Sequence, residues 1–174
     1  MSAPHPALVT LRKNVDRFMA RILAKHRDVM ACRAGCADCC TADLTVFPVE
    51  AAPLAAALDA LPQDLRDAVR DRALRGEHCA LLVESRCAIY DQRPIICRTQ
   101  GLPLRLEDGG VTGCPRNFGG AAEEIPPDDH LDLPRLNMML AVLHSTYLKE
   151  NALDDVRIRL ADLAASVATG AFRP

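Results

Sequence analysis

Eight cysteines carry the plainest chemistry in this 174-residue sequence. Cys32, Cys36, Cys39 and Cys40 fall in one short stretch, and Cys79, Cys87, Cys97 and Cys114 follow singly. A thiolate is a nucleophile and a soft metal ligand, and a bound metal lowers the thiol pKa enough to deprotonate it near neutral pH. Two four-cysteine zinc sites would use all eight, whereas one iron–sulfur cluster would use four and leave a remainder. Only Cys36 and Cys39 make a C-x2-C pair, the later ligands lie on separate elements, and Cys114 precedes a proline as the last cysteine of some ferredoxin motifs does. These features tilt the reading from zinc toward an iron–sulfur cluster. Cys39 and Cys40 are neighbours, and neighbouring side chains diverge in helix and strand alike. One of them is therefore expected to serve a second metal, or none, and an unused one is where a reactive thiol should be sought.

Metal ligation competes with a disulfide framework and with a thiol/disulfide redox switch. Disulfide-dense folds are usually short and secreted. The residues from Met1 to Ala7 lack the apolar core of a signal peptide, and no run approaches the roughly 18 apolar residues of a membrane span. The expected setting is a reducing cytoplasm, which favours metal. With 21 basic against 23 acidic residues the net charge is −2, so no basic excess marks a nucleic-acid partner. No thioredoxin-like βαβ pattern surrounds Cys36 and Cys39.

The elements that must position these thiols read mostly as helices, since Ala, Leu and Val far outnumber aromatic residues. Leu8, Leu11, Val15, Phe18, Met19, Ile22 and Leu23 give a 3.6-residue period over 6–30, with Arg12 among the residues of the solvated face. Met19 and Met30 read as core filler and His26 as a structural or exposed residue. Pro48 opens an Ala-rich helix, and Leu65, Val69 and Ala73 mark another that Gly76 ends. Cys79 and Cys87 stand at the bases of a small hairpin around Glu84-Ser85-Arg86. Cys97 lies on a short helix, and Asp108-Gly109-Gly110 turns a second hairpin that ends at Cys114. Such knuckles look too small to hold together by apolar burial alone. Residues 117–132, rich in Gly, Pro and acids, read as an exposed connector. A helix from Pro134 places Leu136, Met139, Leu140, Leu143 and Tyr147 on one side, with His144 packing beside them. Asp154 or Asp155 should cap a last helix bearing Val156, Leu160, Leu163 and Val167, ended by Gly170. Arg33, Arg86, Arg93, Arg98 and Arg116 lie near cysteines and could offset thiolate charge, Arg93 and Arg98 foremost because they flank Cys97.

The string Cys32-x3-Cys36-x2-Cys39-Cys40, then Cys79-x7-Cys87-x-Ile89-Tyr90-x2-Arg93-Pro94-x2-Cys97-Arg98, then Cys114, resembles the YkgJ-like cysteine-cluster family, a zinc- or iron-chelating domain. The likeness runs from Cys32 to Cys114 and includes all eight cysteines. It departs at Ala80, where a proline is frequent, and at Gln100, where an aromatic often sits; neither is a ligand position. The resemblance implies metal chelation. Flagellin lysine N-methylases are similar in their cysteine pattern, which implies an alternative, an iron–sulfur-dependent protein-modifying enzyme. No Gly-rich strand-to-helix fingerprint of a nucleotide-type cofactor supports it.

The expected molecule is a single domain over 1–174, mainly α with small β-hairpins, an irregular α+β fold. A cysteine-lined metal region at 32–114 should pack on flanking helices at 1–31 and 133–170. The expected function is metal binding through Cys32, Cys36, Cys39, Cys40, Cys79, Cys87, Cys97 and Cys114, for a structural, redox or sensing role.

Overall fold

The computed structural model describes residues 4–33 and 35–168. Helix α1 (Pro6–Lys25) is followed by a 3-10 turn (Arg27–Val29) and then by the loop that carries Cys32 to Cys40. Next come β1 (Thr45–Val46), α2 (Pro48–Asp59), α3 (Gln63–Arg75) and the hairpin strands β2 (Leu82–Val83) and β3 (Arg86–Cys87). A 3-10 turn (Tyr90–Gln92) leads into α4 (Ile95–Thr99), and β4 (Leu104–Arg105) and β5 (Val111–Thr112) form the second hairpin. Three 3-10 turns, Phe118–Gly120, Ala122–Glu124 and Pro127–Asp129, precede β6 (Leu131–Asp132), α5 (Leu133–Asn151), β7 (Ile158–Arg159) and α6 (Leu160–Ala168). The fold is mainly α with small strands, as the composition predicts.

The chain divides into two compact units. One is built from Ala34–Pro94 and the C-terminal part from His144; the other comes from Ala7–Arg33 and Ile95–Leu143. The boundary falls inside the cysteine-rich stretch, separating Cys32 from Cys36, Cys39 and Cys40.

In the first unit, α2 is apolar almost all round and is accordingly a buried helix. Leu54 and Leu58 from α2, Val69 from α3 and Leu160 and Leu163 from α6 share one core with Cys79, Ala80, Leu81, Leu82 and Ile89. The β2–β3 hairpin turns through Glu84 (φ 48°) and Ser85 (φ 60°), the two left-handed residues of a type I′ turn. Its flanks are anchored by apolar burial, which the sequence argument underrated. Gly76, at φ 68°, closes α3 by donating its N–H to Arg72 O, as a left-handed C-terminal cap does.

The second unit packs Ile22 of α1 with Leu102, Phe118 and Ala122, flanked by Met19 and Met30 as core filler. Its sheet has the order β5-β4-β6, with β4–β5 antiparallel and β4–β6 parallel. The parallel strand β6 has no counterpart in the sequence reading.

Four expectations need correction. Residues 117–132 are not a solvated connector: Asn117, Phe118, Ala122 and Asp129 are buried. Composition misled there because two apolar side chains and a charge-paired Asp129 override the polar average. Val156 is 53% exposed, and the last helix begins only at Leu160. Ladder pairing of Ile158 with Val46 and Arg159 with Thr45 holds the preceding backbone extended. Asp155 instead meets His144 Nε2 at 2.9 Å, while His144 stacks on Phe47. Met139 is 44% exposed because the buried stripe of α5 runs through Leu136, Leu140, Leu143, His144 and Tyr147, leaving position 139 at its edge. Arg12, four residues after Leu8 on the apolar stripe of α1, is buried. Gly170 and the side chain of Val167 lie outside the described residues.

Candidate metal centre

In the first unit the loop carrying the vicinal cysteines is fastened to the hairpin through its backbone. Cys40 N–H donates to Ala37 O at 2.9 Å, and Cys40 O accepts from Cys79 N–H at 3.0 Å. Cys79 O in turn accepts from Leu82 N–H at 3.0 Å, where β2 begins, and Leu82 pairs with Cys87 across the hairpin. Two segments distant in sequence, the vicinal-cysteine loop and the stretch from Cys79 through the hairpin to Cys87, are thus joined.

Their electrostatics show the grouping. The Cys39 thiol is pushed far above its ordinary pKa, first by its hydrogen bond with the Cys40 side chain, then by burial, then by the Cys40 charge. Cys79 is pushed up by burial, opposed by the Leu81 backbone N–H at its sulfur, and raised further by the charges of Cys87 and Cys39. Burial also raises Cys87, opposed by the Ile89 backbone N–H and by the Arg93 guanidinium. Cys39 is thus within electrostatic reach of Cys40 and Cys79, and Cys79 of Cys87. Cys39 is the exposed member of the vicinal pair, and Cys40 packs against the core. Cys36, half-buried, lies three residues before Cys39.

The main-chain donors are specific in kind. At Cys79 and at Cys87 the N–H two residues further on turns back on the sulfur. An N–H aimed at sulfur stabilises the thiolate, the form that ligates a metal.

In the second unit Cys32 follows α1, Cys97 sits on α4 and Cys114 follows the second hairpin. Pro94 stands just before α4, Gly101 just beyond it with φ 89°, and Pro103 soon after, which keeps this helix to little more than a turn. A Cβ on Gly101 would lie within van der Waals overlap of Cys32 Sγ and 3.0 Å from Asn117 Nδ2. Glycine is therefore required by the close approach of the Cys32 sulfur as well as by the left-handed backbone.

Asn117 joins these segments. Fully buried, it accepts from Ala31 N–H at Oδ1 (2.8 Å) and donates from Nδ2 to Gly101 O (2.7 Å) and Cys32 Sγ (3.3 Å). Its backbone N–H donates to Cys114 O at 2.9 Å. Neither Asn117 nor Gly101 was singled out from the sequence. A helix-ending glycine is readable as such, but nothing local marks it as a neighbour of Cys32, 69 positions earlier.

The arginines divide. Arg93 donates from Nε to Tyr90 O at 2.9 Å, lies over the Tyr90 ring, and acts on Cys87. Arg98 is 7% exposed and pairs with Asp16 of α1 at 2.5 Å. Arg33, Arg86 and Arg116 are exposed. His26 is structural: its Nε2 lies 2.8 Å from Asp129, which Lys25 (2.6 Å) and Arg21 (3.2 Å) also hold.

All eight cysteines are present as thiols. Among the described residues, no three His, Cys, Asp or Glu side chains converge closely enough to hold a metal ion. Cys39, Cys40, Cys79 and Cys87 are grouped without being closed on a common point, and N–H donors meet the sulfurs of Cys32, Cys79 and Cys87. By donor type, by those N–H groups and by the glycine cradle beside Cys32, the thiols fit a thiophilic metal.

Residues 31–110 match the family model described as "CxxCxxCC: Putative zinc- or iron-chelating domain". This region is similar to the CxxCxxCC domain. The match takes in seven of the eight cysteines and stops short of Cys114 and Asn117. No curated protein and no solved structure matches the chain. The CxxCxxCC likeness supports metal binding, of zinc or iron, by this part of the chain. No described helix is long and apolar enough to cross a membrane.

Proposed function

We propose that this protein binds metal through two sets of thiols. Cys39, Cys40, Cys79 and Cys87 form one set, Cys32, Cys97 and Cys114 the other, and Cys36 is the further ligand candidate. Neighbouring side chains ordinarily diverge, but the Cys39 and Cys40 side chains are hydrogen-bonded to each other, so both are assigned to the same set, Cys39 from the exposed side and Cys40 from the core side. Metal uptake draws each set together and replaces thiol protons, so affinity rises with pH. The bound group is an iron–sulfur cluster or zinc; the dispersal of the ligands along the chain and the Cys114-Pro115 pair favour the cluster. A reducing cytoplasm suits eight thiols that are not joined in disulfides, and the role is structural, redox or sensing.

The observation that carries this reading is the pair of backbone N–H groups, of Leu81 and Ile89, aimed at the sulfurs of Cys79 and Cys87. Inert buried cysteines behave as small apolar side chains and need no such donors.

Anaerobic purification with metal and acid-labile sulfide analysis and a visible spectrum tests it. Brown protein with iron and sulfide is the expected result, and colourless protein with bound zinc supports metal binding with the other metal. Protein that holds neither metal, and takes up neither on anaerobic reconstitution, contradicts the reading.

A further inference from the structure

The second set of thiols depends on a residue beyond the CxxCxxCC match. We infer that Asn117 is a positioning residue for the Cys32 ligand, fixing the sulfur's direction and donating an N–H to it in the metal-bound state. This rests on the metal-binding reading above.

A buried asparagine amide offers one carbonyl oxygen and two N–H groups. Here Oδ1 takes the N–H of Ala31, the residue before Cys32, and Nδ2 gives one proton to Gly101 O and the other to Cys32 Sγ. The amide orientation is determined by these partners. Turned over, Nδ2 would face the Ala31 N–H, and Oδ1 would face a carbonyl oxygen. One side chain thus holds the backbone beside Cys32 and the sulfur itself. It also holds the turn after the Cys97 helix, while its own N–H holds the Cys114 carbonyl.

The sulfur has little freedom to move away. Gly101 lies against it so closely that a single added methyl group would overlap it. Side-chain amides are an effective way to tune a thiolate, because an N–H draws electron density from sulfur and opposes its rotation. Loss of such a partner typically lowers metal affinity by about 10- to 100-fold. Asn117 is fully buried, so no part of its amide is open to solvent.

The test uses the full chain, metal-free and anaerobic, titrated with Co2+ as the probe. The sulfur-to-cobalt charge-transfer band and the affinity by chelator competition are read for wild type, Asn117→Ser, Cys32→Ser and the double variant. Asn117→Ser is expected to weaken one class of Co2+ site by about tenfold and to shift its band, and to add nothing in the Cys32→Ser background. A folded Asn117→Ser protein with the wild-type band and affinity overturns the inference. So does a loss of the same size when Cys32 is already serine, which would mark a merely structural role. Should Asn117→Ser not fold, NMR of the wild type decides. The Asn117 side-chain amide proton is expected to shift on Cd2+ uptake, and an unmoved resonance in a Cd2+-loaded chain overturns the inference. A wild type that takes up neither Co2+ nor Cd2+ overturns the metal-binding reading itself, and this inference with it.

Discussion

In the unit that carries Cys39, Cys40, Cys79 and Cys87, the sulfurs of Cys79 and Cys87 are served by main-chain N–H groups two residues downstream. In the unit that carries Cys32, Cys97 and Cys114, the Cys32 sulfur is served by the side chain of Asn117, 85 positions away. The first arrangement is local. The backbone after Cys79 and after Cys87 supplies the donor whatever the side chains are, and Leu81, Leu82 and Ile89 are buried around it. The second is assembled from three distant segments, and its donor is deleted by one substitution. The same thiol chemistry is therefore robust in one unit and exposed to point mutation in the other.

The largest effect that could break this comparison comes from Cys79→Ser. It removes a thiolate from the first set and leaves the Leu81 N–H facing a hydroxyl. Metal bound per chain should fall by the share of that set, while metal still protects Cys32, Cys97 and Cys114 from alkylation. Loss of protection at all of them would mean that the thiols act as one site.

Asp129→Asn probes the scaffold of the second unit. The carboxylate is fully buried; desolvation pushes its pKa up, but the hydrogen bonds and charges of Lys25 and His26 outweigh this and leave it below the usual range. A lowered folded-state pKa contributes stability that is present above about pH 4, the unfolded value, and lost as pH falls through the folded one. The substitution should cost about 2 kcal/mol at neutral pH, the scale of hydrogen bonds to a buried charge. That lowers Tm by roughly 4–8 °C in a chain of this length, and the difference from wild type should shrink in acid. An unchanged Tm at pH 7 would show that the second unit does not lean on this cluster.

Much of this was legible beforehand because it is local. The helix from Pro48, the Gly76 cap, both hairpins and the eight thiols each follow from neighbouring residues. The partition of the thiols was not, since Cys32 and Cys36 are four positions apart yet fall in different units. No local rule separates them. Composition also misjudged 117–132, because the burial of Asn117 and Asp129 depends on partners from the α1 region, a relation invisible to hydropathy. The β1–β7 pairing was missed for the same reason: two-residue strands carry no periodic signal.

The central claim is that the thiols act as two sets. Its most direct measurement is the alkylation rate of each cysteine, resolved by mass spectrometry, as zinc or iron is added stepwise to the metal-free protein under anaerobic conditions. Cys39, Cys40, Cys79 and Cys87 are predicted to become protected together along one titration curve, and Cys32, Cys97 and Cys114 together along another. Protection of all eight along a single curve, or of Cys79 and Cys87 at different metal concentrations, would contradict the account.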